Sequence, residues 1–296
     1  MDLLNILTEN FGIPVIADEQ KIWFFRTKAG QFYLDFQYNN FIALGWELVD
    51  PELIKNQEIL PDSKKEEIIR LYPKEKRPGL ILGQMDIFYN KMKEGDFVVI
   101  PSTGGKEIAV GRIGGFIGNV YHKPQNEEYA QCDFSHKRAV TWMKNIESWQ
   151  DIYLFKALRA QQTISDITGE AKLLCRNLFP VYVYREKIHC TLQKRTYEDL
   201  SLVDNVEIQY NLLQMLNITT ELYGMESVKE QVVIKTAVGS PGFIEMILPN
   251  IPISIITIGI VIKFVSGKTK TVDGSTATGI SALISTVNTL FNDCNA

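Results

Sequence analysis

The stretch from Gly95 to Ile113 constrains the fold more than any other, because it is written as a hairpin. Gly95-Asp96 turns into the β-favouring run Phe97-Val98-Val99-Ile100, Pro101 to Gly105 forms a loop with a Gly-rich tip, and Ile108 to Ile113 returns as a strand. Other short strands surround it. Ile22-Trp23-Phe24-Phe25-Arg26 is aromatic and closed by Lys28-Ala29-Gly30, Phe41 to Trp46 is a second such run, and Arg138 to Met143 supplies one more. Between them, within Pro51 to Arg70, Asp62 or Ser63 is placed to cap a helix that puts Ile68, Ile69 and Leu71 on its buried side. Gln84 to Met92 reads as another short helix. Short strands, small helices and no β-α-β alternation point to an α+β chain whose first half is a curved or barrel-like sheet rather than a doubly wound one.

With 296 residues, two domains are expected. All four tryptophans, Trp23, Trp46, Trp142 and Trp149, lie in the first half. That composition shift suggests a boundary near residue 155, with domains at 1–155 and 156–296. Residues 1–155 carry 18 basic and 22 acidic side chains, whereas 156–296 carry 13 of each. A net charge of −4 argues against capture of nucleic acid by bulk electrostatics, so any such contact must be local. Cys132, Cys175, Cys190 and Cys294 form no C-x-x-C pair, and His122, His136 and His189 never fall at H-x-x-x-H spacing. Reduced thiols in a cytoplasm are expected, with no metal and no cofactor. The start MDLLNILTEN lacks a basic segment followed by an apolar core, which reads as a chain that is not exported.

Four segments in order carry a resemblance. They are Trp23-Phe24-Phe25-Arg26 followed by Gly30, Phe41 to Trp46, Lys93-Glu94-Gly95-Asp96-Phe97-Val98-Val99, and Val110-Gly111-Arg112-Ile113 with His136 to Trp142 behind it. Over its first half the chain resembles the PUA-like, EVE-like sensor domain that precedes effector domains in Mrr-type and related modification-dependent bacterial defence proteins. The resemblance implies a β-barrel that holds a flipped-out or single nucleobase, often modified, in an aromatic pocket. An extruded base exposes two π faces and a hydrogen-bonding edge, and stacking is worth roughly 1–3 kcal/mol per base without a basic surface.

Six side chains are candidates for that pocket. Trp23 and Trp46 are either its walls or core residues of a small barrel. Arg26 follows Trp23 by three residues, so the two cannot share a face of one regular strand. It either pairs with a phosphate or base edge or is an ordinary solvated arginine. Asp96 either accepts from a base or bonds its own turn. His136 and Arg138, in the triplet His136-Lys137-Arg138, either touch the phosphate backbone or sit on a solvated strand edge. The loop Ser102 to Lys106 lacks the G-x-x-x-x-G-K-[ST] spacing and joins strand to strand, which excludes nucleotide hydrolysis there.

In the second half, Asp151 to Leu178 has helical spacing and reads as a connector, with Thr163 or Ser165 able to cap its second segment. Asp204 to Tyr223 reads as a helix with Val206, Tyr210, Leu213 and Leu216 near one face, and Val228 to Val238 and Phe243 to Leu248 read as strands. No catalytic spacing emerges. Glu230, Gln231 and Lys235 fit a restriction-type nuclease poorly, and His189-Cys190 reads as a structural pair. From Met246 to Ile262 there are 17 uncharged residues, at the lower limit for a membrane span. Pro249, Pro252 and the isoleucines favour a packed core, beneath a helical segment at Thr278 to Phe291, over a membrane anchor. The preferred reading is base or nucleotide recognition coupled to a non-nuclease effector or homo-oligomerisation module. The alternatives are a membrane-perturbing effector using 246–262 and a divergent nuclease.

Overall fold

The computed structural model describes residues 8, 12–55, 62–74, 76–120, 122, 129–158, 162–193, 201–222, 230–237 and 243–248. The fold is mixed α+β. Its strands fall into two sheets, and the chain divides into two compact units, one formed by residues 19–178 and the other by 1–18 with 179–296. The first strand, β1 (Val15–Ile16), therefore belongs with the carboxyl-terminal elements.

In the unit of residues 19–178, β2 (Ile22–Phe25), β3 (Phe41–Leu44), β4 (Phe97–Pro101), β5 (Glu107–Ile117), β6 (His136–Glu147) and β7 (Ile164–Asp166) form one curled sheet in the order β3-β6-β5-β4-β2-β7. The hairpin is there as the turn chemistry demands, with Val98 opposite Gly111 and Ile100 opposite Ala109. β2 runs parallel to β4, and β7 closes that edge antiparallel to β2. Helices at Tyr33–Asn39, Asp62–Leu71 and Pro78–Asp86 pack Phe36, Ile68, Ile81 and Met85 into the sheet's core. Asn40 ends the first of these in the left-handed region at φ 58°, a conformation asparagine tolerates. In the second, Ile68 is buried but Ile69 is exposed, because adjacent helical side chains point about 100° apart and only Ile68 falls on the packed face.

Residues 151–178 are not a helical connector. They hold a short helix (Ile152–Ala157), the edge strand β7 and a second helix (Ala171–Leu178), all within the first unit, so the boundary read near residue 155 falls inside it. Thr163 and Ser165 cap no helix, since Ser165 lies in β7 and pairs with Phe24. The segment is anchored by Asp151. Its Oδ1 accepts from the Tyr153 and Leu154 amides to cap the first helix, while its Oδ2 accepts from Arg176 Nε at 2.9 Å and Asn177 Nδ2 at 2.7 Å on the second.

The other unit contains β8 (Val181–Tyr184), β9 (Lys187–Gln193), β10 (Val233–Ala237) and β11 (Phe243–Leu248), in the order β1-β8-β9-β11-β10. The two strands read at Val228 to Val238 and Phe243 to Leu248 pair as an antiparallel hairpin. The helix Leu202–Leu222 buries Leu212 and Leu216 and leaves Val203, Val206, Tyr210 and Leu213 exposed, so Leu216 does not share the stripe of the other three. Among the described residues no helix is long and apolar enough to cross a membrane. Of the apolar run 246–262, only Met246 to Leu248 are described, as the end of β11; the rest of it and the Thr278 to Phe291 segment lie outside the described residues.

Candidate functional site

The unit of residues 19–178 encloses a cavity of about 1130 Å³ between the end of β2, the end of β3 and the Gly-rich tip of the β4–β5 hairpin. Strand alternation decides which part of β2 reaches it. Phe24 and Arg26 line the cavity, whereas Trp23 and Phe25 point into the hydrophobic core behind the sheet. The chain then turns through Lys28, Ala29 and Gly30, all at positive φ (52°, 57° and 91°). Gly30 cannot be replaced there. A Cβ on it would lie 2.3 Å from the Thr103 backbone, so its bare Cα is what lets this turn press against the hairpin tip.

Opposite, β3 runs into Gly45 and Trp46. Trp46 is also left-handed, at φ 70°, and its ring lies at the cavity wall. A Cβ on Gly45 would come within 3.4 Å of the Phe134 ring, which packs edge-on to Phe32 with centroids 5.4 Å apart. Three aromatic side chains, Trp46, Phe134 and Phe32, thus share one wall system. With Gly104 (φ 69°) and Gly105 (φ 64°), the cavity lining holds six of the eleven positive-φ residues described. Three of the six, Lys28, Ala29 and Trp46, are not glycine, and for them this backbone is sparsely populated, a condition that recurs at functional sites.

Among the described residues that line the cavity, the charged side chains are Arg26 and Lys28, with no carboxylate beside them. Thr27, between them, is buried and donates its hydroxyl to the Pro101 carbonyl at 2.7 Å, while the Arg26 amide donates to the Thr163 carbonyl at 2.8 Å. The Lys28 ammonium stands 5.2 Å from the Phe32 ring centroid and makes no ion pair among the described residues.

Of the six residues singled out from the sequence, Arg26 and Trp46 meet at this cavity. His136 is one contact behind. It is buried, its Nε2 lies 3.2 Å from the Trp46 carbonyl and its Nδ1 2.7 Å from the Tyr89 hydroxyl. A carbonyl can only accept, so Nε2 carries the proton and Nδ1 accepts from Tyr89. Burial, reinforced by the Glu47, Asp50 and Glu52 carboxylates, raises the Tyr89 pKa and keeps that hydroxyl a donor. His136 is therefore not on a solvated edge or at a phosphate; it holds the strained Trp46 backbone.

Trp23, Asp96 and Arg138 are structural. Trp23 is 2% exposed, and its indole N–H donates to Asp96 Oδ2 at 2.8 Å. The same carboxylate accepts from the Lys93 amide at 2.9 Å and, through Oδ1, from the Lys21 amide at 3.1 Å. Asp96 is 4% exposed and accepts all three of these bonds from within the protein. Arg138 is 2% exposed, with its guanidinium donating to the carbonyls of Gly114, Phe88 and Met92 and lying 4.6 Å from the Phe116 ring centroid. Burial lowers its pKa. It cross-links β5, β6 and the Pro78–Lys91 helical segment rather than reaching a phosphate.

Lys28, Phe32 and Phe134 were not among the sequence candidates. Lys28 and Phe32 flank the Gly30 turn and could have been found from it; Phe134 sits in an irregular stretch with no periodicity to mark it.

The buried thiols are poor nucleophiles. Burial pushes Cys132 up to about 11 and Cys175 and Cys190 up to about 12. In the other unit, His189 is paired through Nδ1 with Glu245 Oε1 at 2.8 Å and stacked on Tyr182 at 4.8 Å, instead of forming a unit with Cys190. Lys235, one of the weighed nuclease residues, lies opposite Glu245 across β10 and β11, and its attraction, after those of His189, helps hold the Glu245 carboxyl below the ordinary range. Among the described residues, no three His, Cys, Asp or Glu side chains come together to hold a metal ion.

A family described as a domain of unknown function (DUF8426) matches residues 21–168, which takes in every residue of the cavity lining. No curated protein and no solved structure matches the chain.

Proposed function

We propose that this chain, which belongs to the DUF8426 family, is a base-recognition protein of bacterial antiviral defence. In this reading the unit of residues 19–178 is a PUA-like, EVE-like sensor that takes a nucleobase or nucleotide, including a modified base, into its aromatic cavity. The remaining residues form a non-nuclease effector or oligomerisation module, and the protein works in the cytoplasm. One observation carries the reading: a cavity of about 1130 Å³ lined by Trp46, Phe134 and Phe32, with Trp46 held in the left-handed region at φ 70°. That is slightly above the ~300–1,000 Å³ typical of small-molecule sites and leaves room for a base with its sugar. Aromatic rings suit a flat π surface, and they do so without requiring the broadly basic surface that a net charge of −4 argues against.

Titration of the chain with single-stranded oligonucleotides carrying modified and unmodified bases tests this. Trp46→Ala and Phe134→Ala are each expected to weaken binding by about tenfold, in line with the ~1–3 kcal/mol of one stacking contact. Trp23→Phe, outside the cavity, is expected to lower stability and leave affinity close to native. Absence of binding to any nucleic acid or nucleotide contradicts the proposal.

The oligomerisation part of the reading is supported by the helix Leu202–Leu222. Its exposed Val203, Val206, Tyr210 and Leu213 recur at spacings of three, four and three, the seam of a two-stranded coil, and Asn217 falls at the next position of the same series. The second copy of that helix is the occupant such a seam fits. Light scattering is expected to show a dimer that Val206→Glu with Tyr210→Glu converts to a monomer; a native monomer contradicts it.

A further inference from the structure

Two cations, with no carboxylate among the described lining residues of an aromatic cavity, specify more than a base. We infer that the ligand carries an anionic group beside its ring, a nucleoside phosphate whose phosphate is held at Arg26 and Lys28 while its base meets Trp46 and Phe134. The inference rests on the base-recognition reading and narrows its ligand class.

Three observations support it. First, Arg26 and Lys28 are the charged residues among the described residues of the cavity lining, in a chain with more acidic than basic side chains. A positive pocket in a negative protein is a local feature of that site, not an overflow of surface charge. Second, the two side chains stand on one side of an alternating exposed, buried, exposed stretch whose middle residue, Thr27, is bonded to Pro101. Their backbone is further fixed by the Arg26 amide bond to Thr163 and the Gly30 approach to Thr103. The cations are thus presented from a segment held on both sides, which reduces the ordering that binding must bring about. Third, the Lys28 ammonium already lies against the Phe32 ring, at the boundary between the charged and aromatic parts of the lining.

The opposite ligand chemistry is disfavoured by the same residues. An aromatic cavity can hold a quaternary ammonium, but here the two resident cations would repel it, and the described lining residues include no carboxylate to offset that. An uncharged nucleoside fits the rings but brings no charge to meet Arg26 and Lys28. A phosphate adds a charge-assisted contact, which is stronger than a neutral hydrogen bond and is weakened by salt.

Calorimetric titration of the full chain at low salt with a nucleoside, its 5′-monophosphate, the matching dinucleotide and tetramethylammonium tests the inference. The 5′-monophosphate is expected to bind at least about tenfold more tightly than the nucleoside, the size of a single charge-assisted hydrogen bond. The gap is expected to shrink as salt rises, and Arg26→Gln with Lys28→Gln is expected to bring the monophosphate down to the level of the nucleoside. Tighter binding of the dinucleotide than of the monophosphate assigns the phosphate to a strand; the reverse assigns it to a free nucleotide. Equal affinity for nucleoside and monophosphate, a gap that survives the double substitution, or preference for tetramethylammonium overturns the inference. Nucleoside binding that still depends on Trp46 would then leave the base-recognition reading standing, whereas no binding of any nucleoside or nucleotide sinks both.

Discussion

Replacement of Arg138 by alanine is expected to lower the unfolding free energy of the 19–178 unit by about 3 kcal/mol or more, with no selective loss of ligand affinity. The guanidinium satisfies carbonyls of Gly114, Phe88 and Met92 in a setting where Arg138 is 2% exposed. Removing it breaks several charge-assisted bonds at once and leaves buried acceptors without a donor, each costing roughly 1–3 kcal/mol. Urea unfolding followed by tryptophan fluorescence measures the effect cleanly, because all four tryptophans lie in this unit. Arg138→Lys is expected to recover only part of the loss, since one ammonium cannot fork between carbonyls on separate elements. A variant with native stability and weakened nucleotide binding would instead return Arg138 to the site.

Arg176→Ala is expected to cost about 3–5 kcal/mol, the usual penalty for removing one partner of a buried ion pair. Arg176 and Asp151 are 8% and 6% exposed at the side chain, and Asp151 also caps the helix Ile152–Ala157. Once the arginine is gone, the carboxylate keeps its helix-cap and Asn177 bonds but stays buried without a counter-charge. The damage is expected to reach the cavity, because Phe155, Leu158 and Thr163 in this segment line it. Asp151→Asn combined with Arg176→Met removes both charges and is expected to be less destabilised than Arg176→Ala alone. The same fluorescence-detected unfolding checks both variants, and a loss under 1 kcal/mol for Arg176→Ala would show that the pair does not anchor the segment.

The sheet of the first unit was legible where local chemistry and pairing agree. Gly95-Asp96 and the 102–105 tip flank strands that pair with each other, so turn signals alone located β4 and β5. β7 was not legible. Its three residues are too few for a period to emerge, and its neighbours Leu154, Leu158, Leu173 and Leu174 impose helical spacing on any window around them. The same masking hid the true extent of the unit. β1 was missed for a related reason, since two residues pairing in parallel with β8 leave no pattern and make one unit discontinuous in sequence.

For the site, the strand rule carried the most weight. The three-residue offset between Trp23 and Arg26 implied that only one of them lines a pocket, and Arg26 does. What sequence could not tell was which polar groups would be consumed inside the protein. Asp96 is taken by Trp23 and two amides, His136 by Tyr89 and the Trp46 carbonyl, and Arg138 by three carbonyls; each bond spans residues far apart in the chain or depends on a turn geometry not visible in composition. The Gly-rich tip was read correctly as a strand-to-strand loop, and its position beside Gly30 became apparent only in three dimensions.

Photocrosslinking tests the central claim most directly. The full chain is irradiated with an oligonucleotide carrying one photoreactive base, and the modified residues are mapped by mass spectrometry. If the cavity holds the base, the label falls on Trp46, Phe134 or Phe32 and is displaced by excess unlabelled oligonucleotide. Label confined to the Glu94–Asp96 turn or to residues outside 19–178, or undiminished by the competitor, would contradict base recognition at this cavity.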